Sequence, residues 1–318
     1  MPSYSGVWTL PAQYQAQGLG LWPVAPDPSI LGLFGGGQVV SSASNTIQYI
    51  TIAIAGNSTS FGQLTTARYQ TASCSSSTRG VWCCGQNSGG NNTDIIDYVT
   101  FASAGNATSW GTFSVIKSAQ AGCSSSTRGV FGGGNPGFNN DLIEYITIAS
   151  SGSSSSFGVL TVGRNQLSAC SSPTRGVYGG GGGYSNVMDY ITIASTGNAT
   201  DFGDLTAATT YLSACSSSTR GLFGSGSTSG GYVNTITYIT IATTGNSTSF
   251  GGLTLAREAT GACSSTTRAV WGGGYTGTGN NTIDYVTIAT TGNAASFGQL
   301  GVASLYQTSA CSNAHGGL

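Results

Sequence analysis

Residues 122–134 read G-C-S-S-S-T-R-G-V-F-G-G-G, and residues 145–149 read Y-I-T-I-A. Neither stretch stands alone. The motif Y-[IV]-T-[IF]-A begins at Tyr49, Tyr98, Tyr145, Tyr190, Tyr238 and Tyr285, at spacings of 45 to 49 residues. Twelve residues after each Tyr comes an aromatic followed by Gly: Phe61, Trp110, Phe157, Phe202, Phe250 and Phe297. Thirteen residues later comes Cys74, Cys123, Cys170, Cys215 or Cys263, with Cys311 at fourteen. Five residues after the first five of these sits Arg79, Arg128, Arg175, Arg220 or Arg268. Six copies in register are an internal repeat, and a period of this length is the first thing a fold must explain.

Each unit reads as four short strands: the run around the Cys, then R-G-V-F-G-G, then the Tyr motif, then F-G-x-L. In the Tyr motif Tyr98 and Thr100 fall on one side and Val99 and Phe101 on the other, the period of two that a strand demands. Gly-Asn and Ser-Ser-Ser-Thr stretches between the runs have turn chemistry. Helix signals are nearly absent. Four strands per unit, repeated six times, predict an all-β fold, a six-bladed β-propeller. The chain enters at G-L-F-G-G-G (32–37), a second strand, and leaves just after Cys311, a first strand. Residues 304–312 are therefore expected to complete the blade begun by residues 31–65, closing the ring and removing its exposed edges. The domains expected are a short extended N-terminal segment, 1–30, and the propeller, 31–318.

Composition narrows the function. Only 6% of residues are charged and the net charge is −1, which leaves too little positive charge to neutralise phosphates, so no nucleic-acid partner is expected. The 39% of hydrophobic residues supplies a core. Low net charge permits self-association, a problem that a subunit of a larger assembly escapes. The N-terminus has no basic region followed by an apolar one, so no secretory signal is expected. No stretch approaches the ~20 apolar residues of a membrane helix, so no membrane insertion is expected either.

The eight Cys do not read as a disulfide framework. Six recur once per unit at the same strand position, on sheets about 10 Å apart, beyond the reach of a disulfide. Buried free thiols are expected. All nine Lys and Arg fall on two repeat positions: the five Arg already named, and Arg68, Lys117, Arg164 and Arg257, six before a Cys. An acid directly precedes the Tyr in four units, as Asp97, Glu144, Asp189 and Asp284. Those units also carry a second-strand Arg. The expectation is that Arg79 meets Asp97, Arg128 meets Glu144, Arg175 meets Asp189 and Arg268 meets Asp284 as structural pairs between strands two and three. Arg220, opposite Thr237, is an exception. The alternative is an Arg cluster that converges on the central channel and binds an anion.

No catalytic set assembles, so no enzyme activity is expected. The only His, His315, lies in a terminal tail and can serve neither a zinc site nor a Ser-His-Asp triad. Carboxylate pairs such as Asp201 and Asp204, or Asp94 and Asp97, read more simply as turn or strand-edge charge. The glycine run at 178–184 lacks the Lys-Ser/Thr of a phosphate loop. No cofactor or metal is implied. The Asn-x-Thr triplets at Asn57 and Asn198 repeat as part of a turn, so turn geometry explains them better than glycosylation does.

Nearly all length variation lies between the glycines and the Tyr, in loops such as 38–45, 86–94, 135–141, 184–186 and 275–281. Antiparallel geometry puts these loops on one face. Phe138, Tyr184, Tyr232 and Tyr275 sit there among Asn and Gly, a composition suited to sugar or protein contacts, and they form the candidate ligand face. Neutral drift of exposed loops is the competing explanation. In residues 1–30, Tyr4, Trp8, Leu10, Tyr14 and Trp22 form a non-repeating aromatic segment of the kind that buries itself on a flank or in a partner, and they are the candidate anchoring residues.

The repeat resembles the kelch family. Its paired glycines, Tyr, aromatic and Arg have counterparts at Gly133, Gly134, Tyr145, Phe157 and Arg164, with Phe in place of the usual Trp in five of six units. The leader S-G-V-W-T-L-P-A-Q-Y-Q-A-Q-G-L-G-L-W-P resembles those of structural proteins of marine tailed phages, particularly cyanophages, and residues 190–206 and 122–134 resemble repeats in such virion proteins. These resemblances imply a virion component, made in the bacterial host cytoplasm: a fibre, a tail or baseplate appendage, or a capsid decoration. Other virion proteins are then the partners, through residues 1–30. A lectin-like module that recognises a host surface glycan is the alternative.

Overall fold

The computed structural model describes residues 29–135 and 140–318. The chain is all-β: among the described residues there is no helix, and six four-stranded antiparallel sheets carry most of the structure. This arrangement is compatible with a β-propeller. The second sheet is typical. It runs Ala72–Ser75, Arg79–Cys83, Thr93–Thr100 and Thr108–Lys117, each strand paired with the next. In the first sheet the first strand comes from the other end of the chain. Ser309–Ser312 pairs with Leu31–Gly35, with Leu33 opposite Cys311, followed by Thr46–Thr51 and Thr59–Gln63.

The alternating pattern of each strand places apolar side chains on both faces, so each sheet must be covered twice. Six separate clusters of buried residues do this, one between each consecutive pair of sheets. Leu33, Ile47 and Phe61 of the first sheet meet Trp82, Val99 and Phe101 of the second. Cys263, Val270 and Phe297 of the last sheet meet Phe34, Ile50 and Ile52 of the first. The spacing between sheets is set by glycine. A Cβ on Gly62 would lie 2.0 Å from the carbonyl oxygen of Gly105 in the next T-G-N-type turn, and Gly298 stands in the same relation to Gly56. The repeat Cys fill notches over glycines of the following sheet. The Cys74 Sγ lies against Gly129, and the Cys311 Sγ against Gly80. All eight Cys are free and buried, and burial pushes their thiol pKa values up.

The turn asparagines explain the recurring Asn-x-Thr. The Asn57, Asn198 and Asn246 Oδ1 atoms accept hydrogen bonds from the Gln299, Val159 and Asp204 backbone N–H groups of the preceding sheet.

The charges pair differently from the sequence-based expectation. Arg79 does not meet Asp97, nor Arg128 Glu144, Arg175 Asp189, or Arg268 Asp284. The reason is the pleat: neighbouring residues on a strand point to opposite faces. Arg79 lies opposite Thr100 and shares a face with Tyr98, whereas Asp97 lies opposite Trp82 on the other face. Each second-strand Arg instead covers the Tyr ring of its own sheet, with its guanidinium carbon 4.3 to 4.8 Å from the ring centroid. It then donates to carbonyls just past the third strand of the following sheet: Arg79 to Ile148 and Ala149, Arg128 to Ile193, and Arg175 to Ile241 and Ala242. Arg220 bonds Ile288 and Ala289, and Arg268 bonds Ile52, so the last sheet is clamped to the first. Beneath each Tyr, the repeat aromatic stands edge-on, at 5.2 to 6.2 Å between centroids. Cation–π contacts of this kind contribute about 0.5–1 kcal/mol each when exposed. The guanidinium groups do not converge on an anion site.

The acids pair with the other cations. Arg68 meets Asp97, Lys117 meets Glu144 at 2.7 Å, Arg164 meets Asp189 at 2.7 Å and Arg257 meets Asp284 at 3.1 Å, all buried. Each acid also accepts from the fourth strand of the preceding sheet or the segment just after it, through the Thr65, Ser114, Thr161 or Thr254 hydroxyl. In the first sheet Leu305 and Gln48 hold the corresponding places, and the Gln48 Oε1 accepts from Gly301 N at 2.6 Å. In the fifth sheet Thr209 and Thr237 hold them, both buried.

Burial alone would raise the Glu144 pKa. It is outweighed by the Lys117 charge and by hydrogen bonds from Lys117, Ser114 and Ser154, so the net shift is downward. A carboxylate lowered in the folded state stabilises the fold above the ordinary carboxylate range, and that contribution is lost as pH falls through its folded value. Lys117→Leu is expected to cost about 3–5 kcal/mol, because it leaves a buried carboxylate unpaired. Lys117→Leu/Glu144→Gln, which copies Leu305 and Gln48, is expected to recover most of that loss and to lose less stability in acid. Denaturant unfolding of the three proteins at neutral and acidic pH checks this, and a double variant no more stable than the single one contradicts it.

Candidate binding face

The six first strands lie side by side around common cavities, and their two ends differ. At one end, the last Ser of each first strand donates its hydroxyl to the carbonyl of its counterpart in the neighbouring sheet. Ser75 donates to Ser312, Ser312 to Ser264, Ser264 to Ser216, Ser216 to Ser171, Ser171 to Ser124 and Ser124 to Ser75, at 2.5 to 2.9 Å. The circuit returns to its starting residue. Residues 313–318 lie across this end. Gly316 N donates to Ser216 O, and the His315 Nε2 lies 3.1 Å from Ser75 O and 3.2 Å from Ser124 Oγ. Because the His315 Nδ1 accepts from Gly317 N at 3.0 Å, the Nε2 carries the proton and donates. Burial brings the His315 pKa down to about 4, against the Ser75 carbonyl, which favours the protonated ring.

At the opposite end the chain turns through a left-handed residue before each first strand. Gln70, Ala119, Gln166, Tyr211, Ala259 and Gln307 have φ of 53 to 58°. Their backbones form a second circuit: each N–H donates to the carbonyl of the preceding residue in this order, and Gln70 donates to Gln307, at 2.8 to 3.1 Å. The mouth inside this circuit is a cavity of about 80 Å3, lined by Gln70, Gln166, Tyr211, Gln307 and neighbouring Thr, Leu and Ala side chains. It continues into a cavity of about 130 Å3 bounded by all six first strands.

This is also the end that carries the variable loops, and here the repeats differ most. The residue before each left-handed one is Tyr69, Ser118, Asn165, Thr210, Glu258 or Tyr306. Several of them bridge to the variable loops: Tyr69 to Gln86, Ser118 to Asn135, Thr210 to Ser227, Glu258 to Tyr275, and Tyr306 to Gln38. Of the sequence-predicted ligand residues, Tyr232 and Tyr275 are brought together, with ring centroids 6.0 Å apart. Tyr306, which the sequence reading did not single out, extends the cluster at 5.0 Å from Tyr275. Glu258, also missed, lies beside it; burial raises its pKa, partly offset by a hydrogen bond from Ser227. The position five before the Cys is not fixed by the repeat, being Tyr, Ser, Asn, Thr, Glu and Tyr in turn, and that variability was the available signal. Tyr184 is 46% exposed and joins no ring pair among the described residues. Phe138 and the anchoring candidates Tyr4, Trp8, Leu10, Tyr14 and Trp22 lie outside the described residues.

Among the described residues no group of three or more His, Cys, Asp and Glu side chains could hold a metal ion, and no helix is long and apolar enough to cross a membrane. Neither a protein-family model nor a curated protein sequence matches the chain.

Protonating His315 would place a charge in the serine end. Its ordinary value is near 6.5 and its folded value about 4, so the tail's attachment is expected to be full above pH 6.5 and to weaken as pH falls toward 4. Amide exchange at Gly316 and Gly317, corrected for intrinsic rates, is expected to lose protection across that range in the wild type and to stay flat in His315→Gln. A wild-type profile that is also flat would contradict the neutral buried imidazole.

Proposed function

We propose that the six sheets are the blades of a closed six-bladed propeller of the kelch-like kind. We further propose that the chain is a structural protein of a phage virion, held through residues 1–30 by other virion proteins and displaying the propeller as a rigid disc. The observation that carries this reading is how the charge is used. All nine Lys and Arg are committed to the scaffold, five clamped over Tyr and four in buried ion pairs. What remains is a sparsely charged surface of Ser, Thr, Asn and Gly with a few unpaired acids, which is prone to self-associate when free and is tolerated when held in an assembly. A binding and display role is favoured over catalysis. The thiols are buried and hard to ionise, and both ring nitrogens of His315 are engaged.

The test is mass spectrometry of gradient-purified phage particles, with the full chain and with a version lacking residues 1–30. The full chain is expected at a defined copy number and the truncated one is expected to be absent. A full chain missing from the particles overturns the virion reading, and a truncated chain retained at full copy number overturns the anchoring role of residues 1–30.

A further inference from the structure

We propose that the mouth end of the propeller is a binding site for a neutral saccharide, formed by Tyr211, Tyr232, Tyr275, Tyr306, Glu258 and Gln166. The site rests on the six sheets forming one ring and not on the particle reading.

Backbone conformation gives the first argument. Six left-handed positions around the mouth are filled by Gln, Ala, Gln, Tyr, Ala and Gln, where Gly or Asn would be less strained. At the four of these positions that are not Ala, strain of this kind is tolerated where the side chain is kept for what it contacts. Tyr211 is the clearest case. At φ 53° it carries a large side chain over the cavity, and its hydroxyl accepts from the Gln166 Nε2 at 2.6 Å.

Asymmetry gives the second argument. The scaffold repeats the same clamps and circuits around the ring, yet three tyrosines of this end, Tyr232, Tyr275 and Tyr306, pack together in one sector. Tyr232 lies in the loop between the second and third strands of the fifth sheet, Tyr275 in that of the sixth, and Tyr306 in the segment returning to the first. Repeat geometry has no need of them there. Tyr232 packs edge-on against Tyr275 yet stays 40% exposed, so part of its ring is open to a ligand.

Chemistry selects the ligand. Tyr rings offer flat apolar faces with a hydroxyl at the edge, which suits the C–H face and the hydroxyls of a pyranose. The Gln166 amide already donates to Tyr211 and accepts from Thr210, leaving one N–H and one lone pair for a ligand, and Glu258 supplies acceptors. With every cation committed elsewhere and a carboxylate in the sector, an acidic sugar has no counter-charge and meets repulsion. Tyr211 and Gln166 line the mouth cavity of about 80 Å3, and Ala259 and Gln307 of the same lining adjoin Glu258 and Tyr306 in the chain.

The purified full chain is applied to a printed array of neutral and acidic oligosaccharides, with immobilised peptides as a second panel, and the best-bound glycan is titrated by calorimetry. Binding is expected on neutral glycans, without preference for sialylated or sulfated ones. Tyr232→Ala and Tyr211→Gly are each expected to weaken it about tenfold, the scale of one lost aromatic contact, with the unfolding midpoint of Tyr232→Ala unchanged. Three results would overturn the site: no neutral glycan bound, a preference for acidic glycans or peptides, or both variants binding like the wild type. Because the array uses free protein, a chain absent from particles can still bind glycans, and a particle-bound chain can still fail the array.

Discussion

Each sheet in this chain is apolar on both faces, and that constraint organises the rest. A sheet covered on one side only would expose Val, Ile and aromatic side chains to water, at about 25 cal/mol for every Å2 left uncovered. A linear stack leaves two such faces at its ends. Here the cluster that joins Phe34, Ile50 and Ile52 to Cys263, Val270 and Phe297 covers the faces that a stack would leave open. The glycines of F-G and R-G, the small Cys and the T-G-N turns then read as fitting conditions, since each lets one sheet approach the next.

Polar interactions follow the same seams. The Arg clamps and buried ion pairs both cross from one sheet to the next, so each joins sheets that the apolar clusters have already brought together. Buried pairs are weak evidence for stability as such, because desolvation opposes the Coulomb attraction. Their replacement by Leu305 and Gln48 at one seam, and by Thr209 and Thr237 at another, shows that the scaffold accepts neutral versions. The pairs specify which segments meet more than they hold the fold.

Much of this was legible in the sequence. The all-β class and the strand order within a sheet followed from spacing alone, and the four-stranded antiparallel sheets agree with them. The charge partners were misread because Arg79 and Asp97 were matched by their presence in the same units. Strand parity already placed them on opposite faces. A better signal was also available: Arg68, Lys117, Arg164 and Arg257 occur only where an acid precedes the Tyr, and both members are missing together in two units. The left-handed ring around Tyr211 and the seating of His315 among serines were not legible. Each depends on backbone segments from different sheets meeting end to end, which no local pattern encodes.

The account stands or falls on the pairing of Leu31–Gly35 with Ser309–Ser312 in the same molecule. Leu33 and Cys311 are directly opposed, and paired Cα atoms of antiparallel strands lie about 4.5–5.5 Å apart, within disulfide range. Leu33→Cys, oxidised at low concentration and mapped by mass spectrometry, is expected to give a monomer with a 33–311 disulfide. Cross-links that join two molecules, or no cross-link at those positions, would contradict ring closure within one chain.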